Sequence, residues 1–385
     1  MPTSTITIIN SKDHWLHGWF GCTEFLDNGI KALEASGLYI EVIEVENESQ
    51  LEEVLTQCKS PGLVWGNAYF VGSTPETLVW LNDCIASRGL SYIGPPARAL
   101  KKLIDKAITQ QMMEDEGIPV PQFLSVKPNQ AKEIASLVAE SPLNFPLVIK
   151  PSSESSSMGI SAVKHVGELE QKAQTLVSDF PQSDILLEQF LPSQDLTCAY
   201  FRWGNQYLLM PTWVVLDKAL GDNNMLSRDK RFLPWTSQYK YQKPVTEVHL
   251  LAQFKAHVPK IAALFEIRDV TRVDARLDKE GTVRFFDING MPGLGLADEW
   301  TATPELEDDG RLKNVLPDSV IIEQCRICYP AYSREEVFQG LINTVALCAL
   351  SHHDLPVTEA IASFNLFNME SSYVIKSDNN TVLVE

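Results

Sequence analysis

The first residues with chemistry in them run Pro146-Leu147-Val148-Ile149-Lys150-Pro151-Ser152-Ser153-Glu154-Ser155-Ser156-Ser157-Met158-Gly159-Ile160. An uncharged strand delivers Lys150 to its end, and a loop of small residues follows at once. A lysine point charge, backbone N–H groups and hydroxyls with little side-chain bulk are what hold polyphosphate. No Gly-Lys-Ser or Gly-Lys-Thr closes the loop, so it is not a Walker A sequence. A serine-rich surface loop beside an isolated lysine fits the same residues. The second feature is Arg272-Val273-Asp274 followed by Phe286-Asp287-Ile288-Asn289. Asp287 and Asn289 stand two apart on a strand, so both project from one face. With Asp274 on a neighbouring strand they make an all-oxygen cluster suited to Mg²⁺, which keeps phosphate oxygens among its ligands. Arg272 beside them would neutralise phosphoryl charge developing in a transition state. An exposed polar strand face is the alternative, but Gly290-Met291-Pro292-Gly293 makes a tight turn that would hold the cluster at a sheet edge.

The elements that must position these residues alternate. Thr5–Ile9, Tyr39–Val45 and Gly62–Trp65 read as strands, rich in β-branched residues. Between them, 23–36 has helical spacing and stops at Gly37, and Ser49 with Glu52 looks like a capping box. Thr74-Pro75 offers an N-cap and N1 proline for a helix towards Arg88-Gly89. This alternation argues for a parallel α/β sheet. A helix over 105–116 closes at Gly117. Strands follow at 147–149, 185–187, 197–201 and 283–288, with a helix over 247–267 despite Pro259. Residues 301–320 read as an exposed connection, and the tail beyond as mixed α/β.

The chain has 385 residues, 44% of them hydrophobic and 21% charged, which suits a globular protein of two or three domains. Its 32 basic and 50 acidic residues give a net charge of −18, which disfavours nucleic acid and anionic membrane surfaces as partners. No apolar run reaches membrane-spanning length, and Met1-Pro2-Thr3-Ser4 carries no basic n-region. Seven cysteines, an odd number, suit reduced thiols in a cytoplasmic protein.

Taken together, the Lys150–Gly159 and Arg272–Gly293 motifs resemble the ATP-grasp superfamily, and within it the D-alanine–D-alanine ligases. Tyr92-Ile93-Gly94-Pro95, Asp105-Lys106, Gly117-Ile118-Pro119-Val120-Pro121 and Leu187-Glu188-Gln189-Phe190-Leu191 fall in the same order. The resemblance covers residues 90–298, and the first 90 by topology only. It implies an α/β ATP-grasp fold with a Rossmann-like pre-ATP-grasp substrate domain at 1–100. A central lid subdomain at 101–190, a catalytic subdomain at 191–300 and an extension at 301–385 would follow. The extension would pack on the other domains or on a second copy in a homodimer.

The implied roles follow position by position. Lys106 and Lys150 would contact ATP phosphates beneath a mobile loop bearing Ser156, Ser157 and Met158. Glu188, Gln189 and Leu191 would line the adenine pocket, with Asp195 near the ribose hydroxyls. Lys240 would reach the terminal phosphates from a second mobile segment, 220–240. Arg272 would stabilise the acyl-phosphate and the tetrahedral intermediate. Asp274, Asp287 and Asn289 would hold two Mg²⁺ (or Mn²⁺) ions, with Asp287 bridging. The implied reaction joins a small-molecule carboxylate to an amine through an acyl-phosphate, which needs positioning and charge neutralisation more than acid or base catalysis. A phosphotransferase and a catalytically silent nucleotide-binding regulator are the alternatives.

The chain departs from the family in several places. Asp287 stands where the family has Glu, and Ser155 where the ligases prefer Gly. The N-terminal Ser-Ala-Glu motif is absent, with Glu24 its nearest counterpart. After Pro292-Gly293 the ligases place a serine–leucine pair that holds the carboxylate of the incoming amino acid. Counting along the chain puts Asp298-Glu299 there, which would repel such a carboxylate and favour a cationic amine or a larger amine without a nearby carboxylate. A slip of a few residues, with the acidic pair facing solvent, is the other reading. Of the remaining candidates, Cys325-Arg326-Ile327-Cys328 has no second pair to complete a zinc site. His352-His353 reads as a solvated helix end, and His14 and His17 beside Trp15 and Trp19 as loop packing. Cys22, Cys58, Cys84, Cys198 and Cys348 read as core.

Overall fold

A computed structural model describes residues 5–11, 23–58, 62–72, 78–155, 157–217, 225–226, 230, 233, 235–296 and 318–377. The first layer is a parallel sheet. Strands β1 (Thr5–Ser11), β2 (Tyr39–Val45) and β3 (Gly62–Gly66) are followed by the short hairpin β4 (Phe70–Val71) and β5 (Val79–Trp80), then by β6 (Ser91–Tyr92). The sheet order is β2-β1-β3-β6, every pairing parallel, as the strand–helix alternation requires. The helix after β2 starts at Glu48, and its cap is Asn47, whose side chain accepts from the Gln50 amide, rather than the Ser49–Glu52 box. Asn caps as well as Ser, and it stands where the chain is still extended. Of the helix expected from Thr74 towards Arg88-Gly89, Leu81–Ser87 is observed, while Thr74 and Pro75 lie outside the described residues. A helix at Ala97–Ile104, unforeseen from the sequence, precedes the expected one at Lys106–Asp115, which Asp105 caps.

The second layer is antiparallel: β7 (Phe123–Val126), β8 (Leu147–Pro151), β9 (Ser161–Val163) and β10 (Ile185–Gln189), in the order β7-β10-β8-β9. The helix Val166–Asp179 covers its apolar side through Leu169, Ala173 and Leu176. The third sheet comprises β11 (Asp195–Trp203), β12 (Gln206–Leu216), β13 (Lys240–Pro244), β14 (Val270–Leu277) and β15 (Val283–Asn289), in the order β13-β12-β11-β14-β15. A terminal strand β16 (Ile375–Lys376) pairs with β12. The helix Val248–Leu264, with Pro259 inside it, packs Phe254, Val258 and Ile261 beneath this sheet.

The tail is more than an appendage. Its helix Arg334–His352 is buried from Val337 to Leu350 save for Gln339, and it is the centre of the largest apolar cluster. That cluster joins Ile6, Ile8 and Leu33 of the first layer to Phe201, Leu208 and Met210 of the third sheet. Polar contacts pin the same junction: Ser36 Oγ donates to Asn343 at 2.6 Å, and Thr358 Oγ1 donates to the Ser36 carbonyl at 2.7 Å. His353 is not a solvated helix end, because its ring Nε2 meets the backbone of Tyr92. Burial pushes the His353 imidazole below its usual pKa, so the neutral ring suits this contact. Of the expected exposed connection, 301–317 lie outside the described residues; Asp318 is buried, and the helix Val320–Cys328 begins just after it. Cys325 and Cys328 lie inside that core as free thiols. Among the described residues no helix is long and apolar enough to cross a membrane.

Candidate active site

The second and third sheets face each other across an open cleft, about 1030 Å³ when the solvent space at its mouth is included. Lys150 comes from the end of β8 and pairs with Glu188 on the adjacent β10 at 2.6 Å, both side chains almost wholly buried. The two share a sheet face because Glu188 sits opposite Val148, one pleat from Lys150. Gln110, from the Lys106–Asp115 helix, also donates to Glu188 and to the Phe286 carbonyl. Lys106, at the start of that helix, donates to the Glu154 carbonyl at 2.6 Å and lies 3.8 Å from Asp287.

The opposite wall is built by register. Arg272 stands across from Asn289, and Asp274 across from Asp287, on antiparallel β14 and β15. A bulge beside Asp274 leaves Phe286 without a partner in the ladder. Strict alternation would send Phe286 and Asp287 to opposite faces, but with the bulge both line the cleft. Arg272 grips Asp274 with two parallel bonds, of 2.9 and 2.8 Å, and Thr197 Oγ1 donates to the same carboxylate at 2.7 Å. Asn289 lies beside Asp274, its amide nitrogen 3.4 Å from Oδ2. At the far end, Arg276 pairs with Asp195 at 2.6 Å.

Two carboxylates and an amide are hard oxygen donors, and phosphate oxygens and water could complete the roughly six ligands of Mg²⁺. The donor set therefore fits that ion in kind. Among the described residues, however, no three His, Cys, Asp or Glu side chains converge as a ready cation cage.

Of the residues expected from the sequence, Lys106, Lys150, Ser157, Met158, Glu188, Gln189, Leu191, Asp195, Arg272, Asp274 and Asp287 all line this cleft. Gln189 also spans the β8 approach, its side-chain amide bonded to Asn144 and Pro146. Lys240 stands apart from these. Its side chain is buried outside the cleft wall, with the ammonium 4.2 Å from the Trp235 ring centroid. The tail helix Val320–Cys328 packs over β12 and β13 there, which turns that strand end into interior. Gly293 is exposed and off the cleft wall. Ser156, Asp298, His14 and His17 lie outside the described residues, as does the side chain of Glu24, on the helix Thr23–Ala35.

Four contributors were not foreseen. Thr197, Gln110 and Arg276 are visible only through pairing, although Arg276 continues the two-residue spacing of Arg272 and Asp274. The fourth is Glu154, named in the loop without a role. Its side chain is buried on the cleft wall, and Oε2 accepts no hydrogen bond among the described residues. Burial pushes its carboxyl up to about 7, against the pull of Lys106. Tyr69, from the turn after β3, brings its hydroxyl within 3.3 Å of the Met291 amide, so the first layer reaches the turn beyond Asn289.

Residues 112–301 match a family model described as the D-ala D-ala ligase C-terminus. A D-alanine–D-alanine ligase of Coprothermobacter proteolyticus is 27% identical over 53% of this chain and 64% of its own length. An uncharacterised protein of Sinorhizobium fredii is 26% identical over 54% and 58% respectively, so the chain spans less than two thirds of these two relatives. A third relative, the D-alanine–D-alanine ligase of Hydrogenovibrio crunogenus, is 26% identical over 69% of this chain and 78% of its own length. The crystal structure of D-alanine–D-alanine ligase from Bacillus anthracis superposes with a TM-score of 0.56 at 16% identity, covering 76% of this chain and 88% of that one. At that identity the likeness speaks for the fold. The family match over 112–301, which carries Lys150, Glu188, Arg272, Asp274 and Asp287, and the shared fold make this chain a divergent D-alanine–D-alanine ligase-like protein with the ATP-grasp fold.

Proposed function

We propose that the chain is an ATP-dependent, ADP-forming ligase that joins a small-molecule carboxylate to an amine through an acyl-phosphate. The observation that carries this reading is one cleft in which Lys106 and Lys150 face Arg272, Asp274 and Asp287. The lysines would hold the phosphates as point charges. Glu188, Gln189 and Leu191 would border the adenine, and Asp195 the ribose. Arg272, held rigid by Asp274, presents a fixed positive charge to the phosphoryl group as its negative charge develops. Bound at Asp274, Asp287 and Asn289, Mg²⁺ would supply further neutralisation of phosphate oxygens. Ser157 Oγ donates to the Leu226 carbonyl at 2.9 Å, a tie between the serine loop and Leu226 that would help exclude water from a hydrolysable intermediate.

We infer the acceptor end from the tail. Ser319-Val320 is a serine–aliphatic pair of the kind the ligases place after this turn. The Ser319 amide donates to the Gly295 carbonyl at 3.0 Å, and Val320 lines the cleft. Asp318 beside them is neutralised by both nitrogens of a bidentate Arg334 contact. The Ser319 hydroxyl accepts from the Ile322 amide as the cap of the next helix, and Asp298-Glu299 lies outside the described residues, so the assay decides between an amino acid and a cationic amine. The test is ADP and phosphate release from ATP with a panel of amino acids and cationic amines, singly and in pairs. A ligase needs both substrates for net turnover, a phosphotransferase needs no amine, and a silent regulator releases nothing.

A further inference from the structure

Arg276 has no role in the reaction as described, yet its guanidinium is buried in the cleft wall. It stands two residues beyond Asp274, on the same face of β14. Its Nε donates to Asp195 Oδ1 at 2.6 Å and its Nη1 to the Leu191 carbonyl at 2.9 Å. The guanidinium carbon also lies 5.8 Å from the centroid of the Phe190 ring. One cation therefore reaches both ends of the connection between β10 and β11, which forms the nucleoside edge of the cleft. A second tie comes from the next residue, since the Leu277 amide donates to Ser193 Oγ at 2.7 Å. A buried guanidinium is costly unless its donors are used, and here these bonds fix the connection itself.

We propose that Arg276 is a positioning residue for the nucleotide's ribose. It holds Asp195 by one oxygen so that the other meets a ribose hydroxyl, and it ties that edge to the strand bearing Arg272 and Asp274. The guanidinium charge is balanced by Asp195, so this edge suits a neutral hydroxyl rather than a further phosphate. The inference rests on the ATP reading above.

Calorimetric binding of ATP and of 2′-deoxy-ATP to the full chain, with Mg²⁺ and no acceptor, tests it. Wild type should prefer ATP by about tenfold, the worth of one hydrogen bond to a charged group. Arg276→Gln should bring that ratio close to one, as should Asp195→Asn, and the double variant should lose nothing more. A purely structural role would weaken both nucleotides alike and leave the ratio standing, which would overturn the proposal. Should Arg276→Gln fail to fold, Arg276→Lys decides, because it keeps the charge but cannot span both acceptors. A full wild-type preference in that variant would also overturn the proposal. Wild type binding neither nucleotide defeats the ATP reading and the inference with it, whereas equal binding of both defeats the inference alone.

Discussion

Glu188→Gln probes the Lys150–Glu188 pair, the most buried ion pair of the cleft. The two groups meet at 2.6 Å with 4% and 6% of their side chains exposed. Removing the carboxylate charge leaves the Lys150 ammonium with the Phe286 ring, 5.2 Å away, as a weak substitute. Breaking a buried pair from one side costs about 3–5 kcal/mol. The cleft opens to solvent, so the lower end, about 3 kcal/mol, is expected. At about 1.2 °C per kcal/mol for a chain of this size, the nucleotide-free variant should melt about 4 °C below wild type. An ATP analogue with Mg²⁺ should recover part of this, because a phosphate returns an anion to the lysine. The nucleotide-induced rise in melting temperature should therefore be larger in the variant. Scanning calorimetry with and without nucleotide reads both quantities. A drop below about 2 °C would show that Lys150 does not depend on Glu188. Equal nucleotide shifts in the two proteins would show that Lys150 does not meet the phosphates.

Asp287→Ala should abolish ADP release while leaving weak nucleotide binding through Lys150; near-wild-type turnover at ordinary Mg²⁺ would remove Asp287 from the metal site. The Glu154 carboxyl is raised by folding, so its stabilising share is complete below the ordinary carboxyl range and is lost as pH rises through about 7. Glu154→Gln should therefore gain on the order of 1–2 kcal/mol over wild type at pH 8 and nothing at pH 4, by urea unfolding. A pH-independent difference would refute this. Asn343→Ala should cost about 2 kcal/mol, because it removes the acceptor of the Ser36 hydroxyl and the donor to the half-buried Phe364 carbonyl at once. A loss below about 1 kcal/mol in the same assay would mean the tail does not pin the first layer.

The cleft chemistry was largely legible in the sequence because it is local. A lysine ending an apolar strand, a small-residue loop, and acidic and amide groups two apart on a strand obey the pleat wherever the strand is placed. The parallel first sheet follows from the same short-range rule, since strand–helix alternation leaves few other topologies. What the sequence could not decide depends on contacts between residues far apart in the chain. The helix Arg334–His352 is buried nearly all round, so its pattern has no polar face to say what it packs against. Only the assembled sheets make it the core between β1 and β11. Lys240 shows the same limit: the tail helix packs over its strand and the ammonium stands against Trp235, and nothing beside Lys240 in the sequence announces either contact. Even Asp287 needed tertiary information, because a one-residue bulge at Phe286 sets which side chains of β15 face the cleft. A bulge arises from how two strands pair, and a single strand's residues do not encode it.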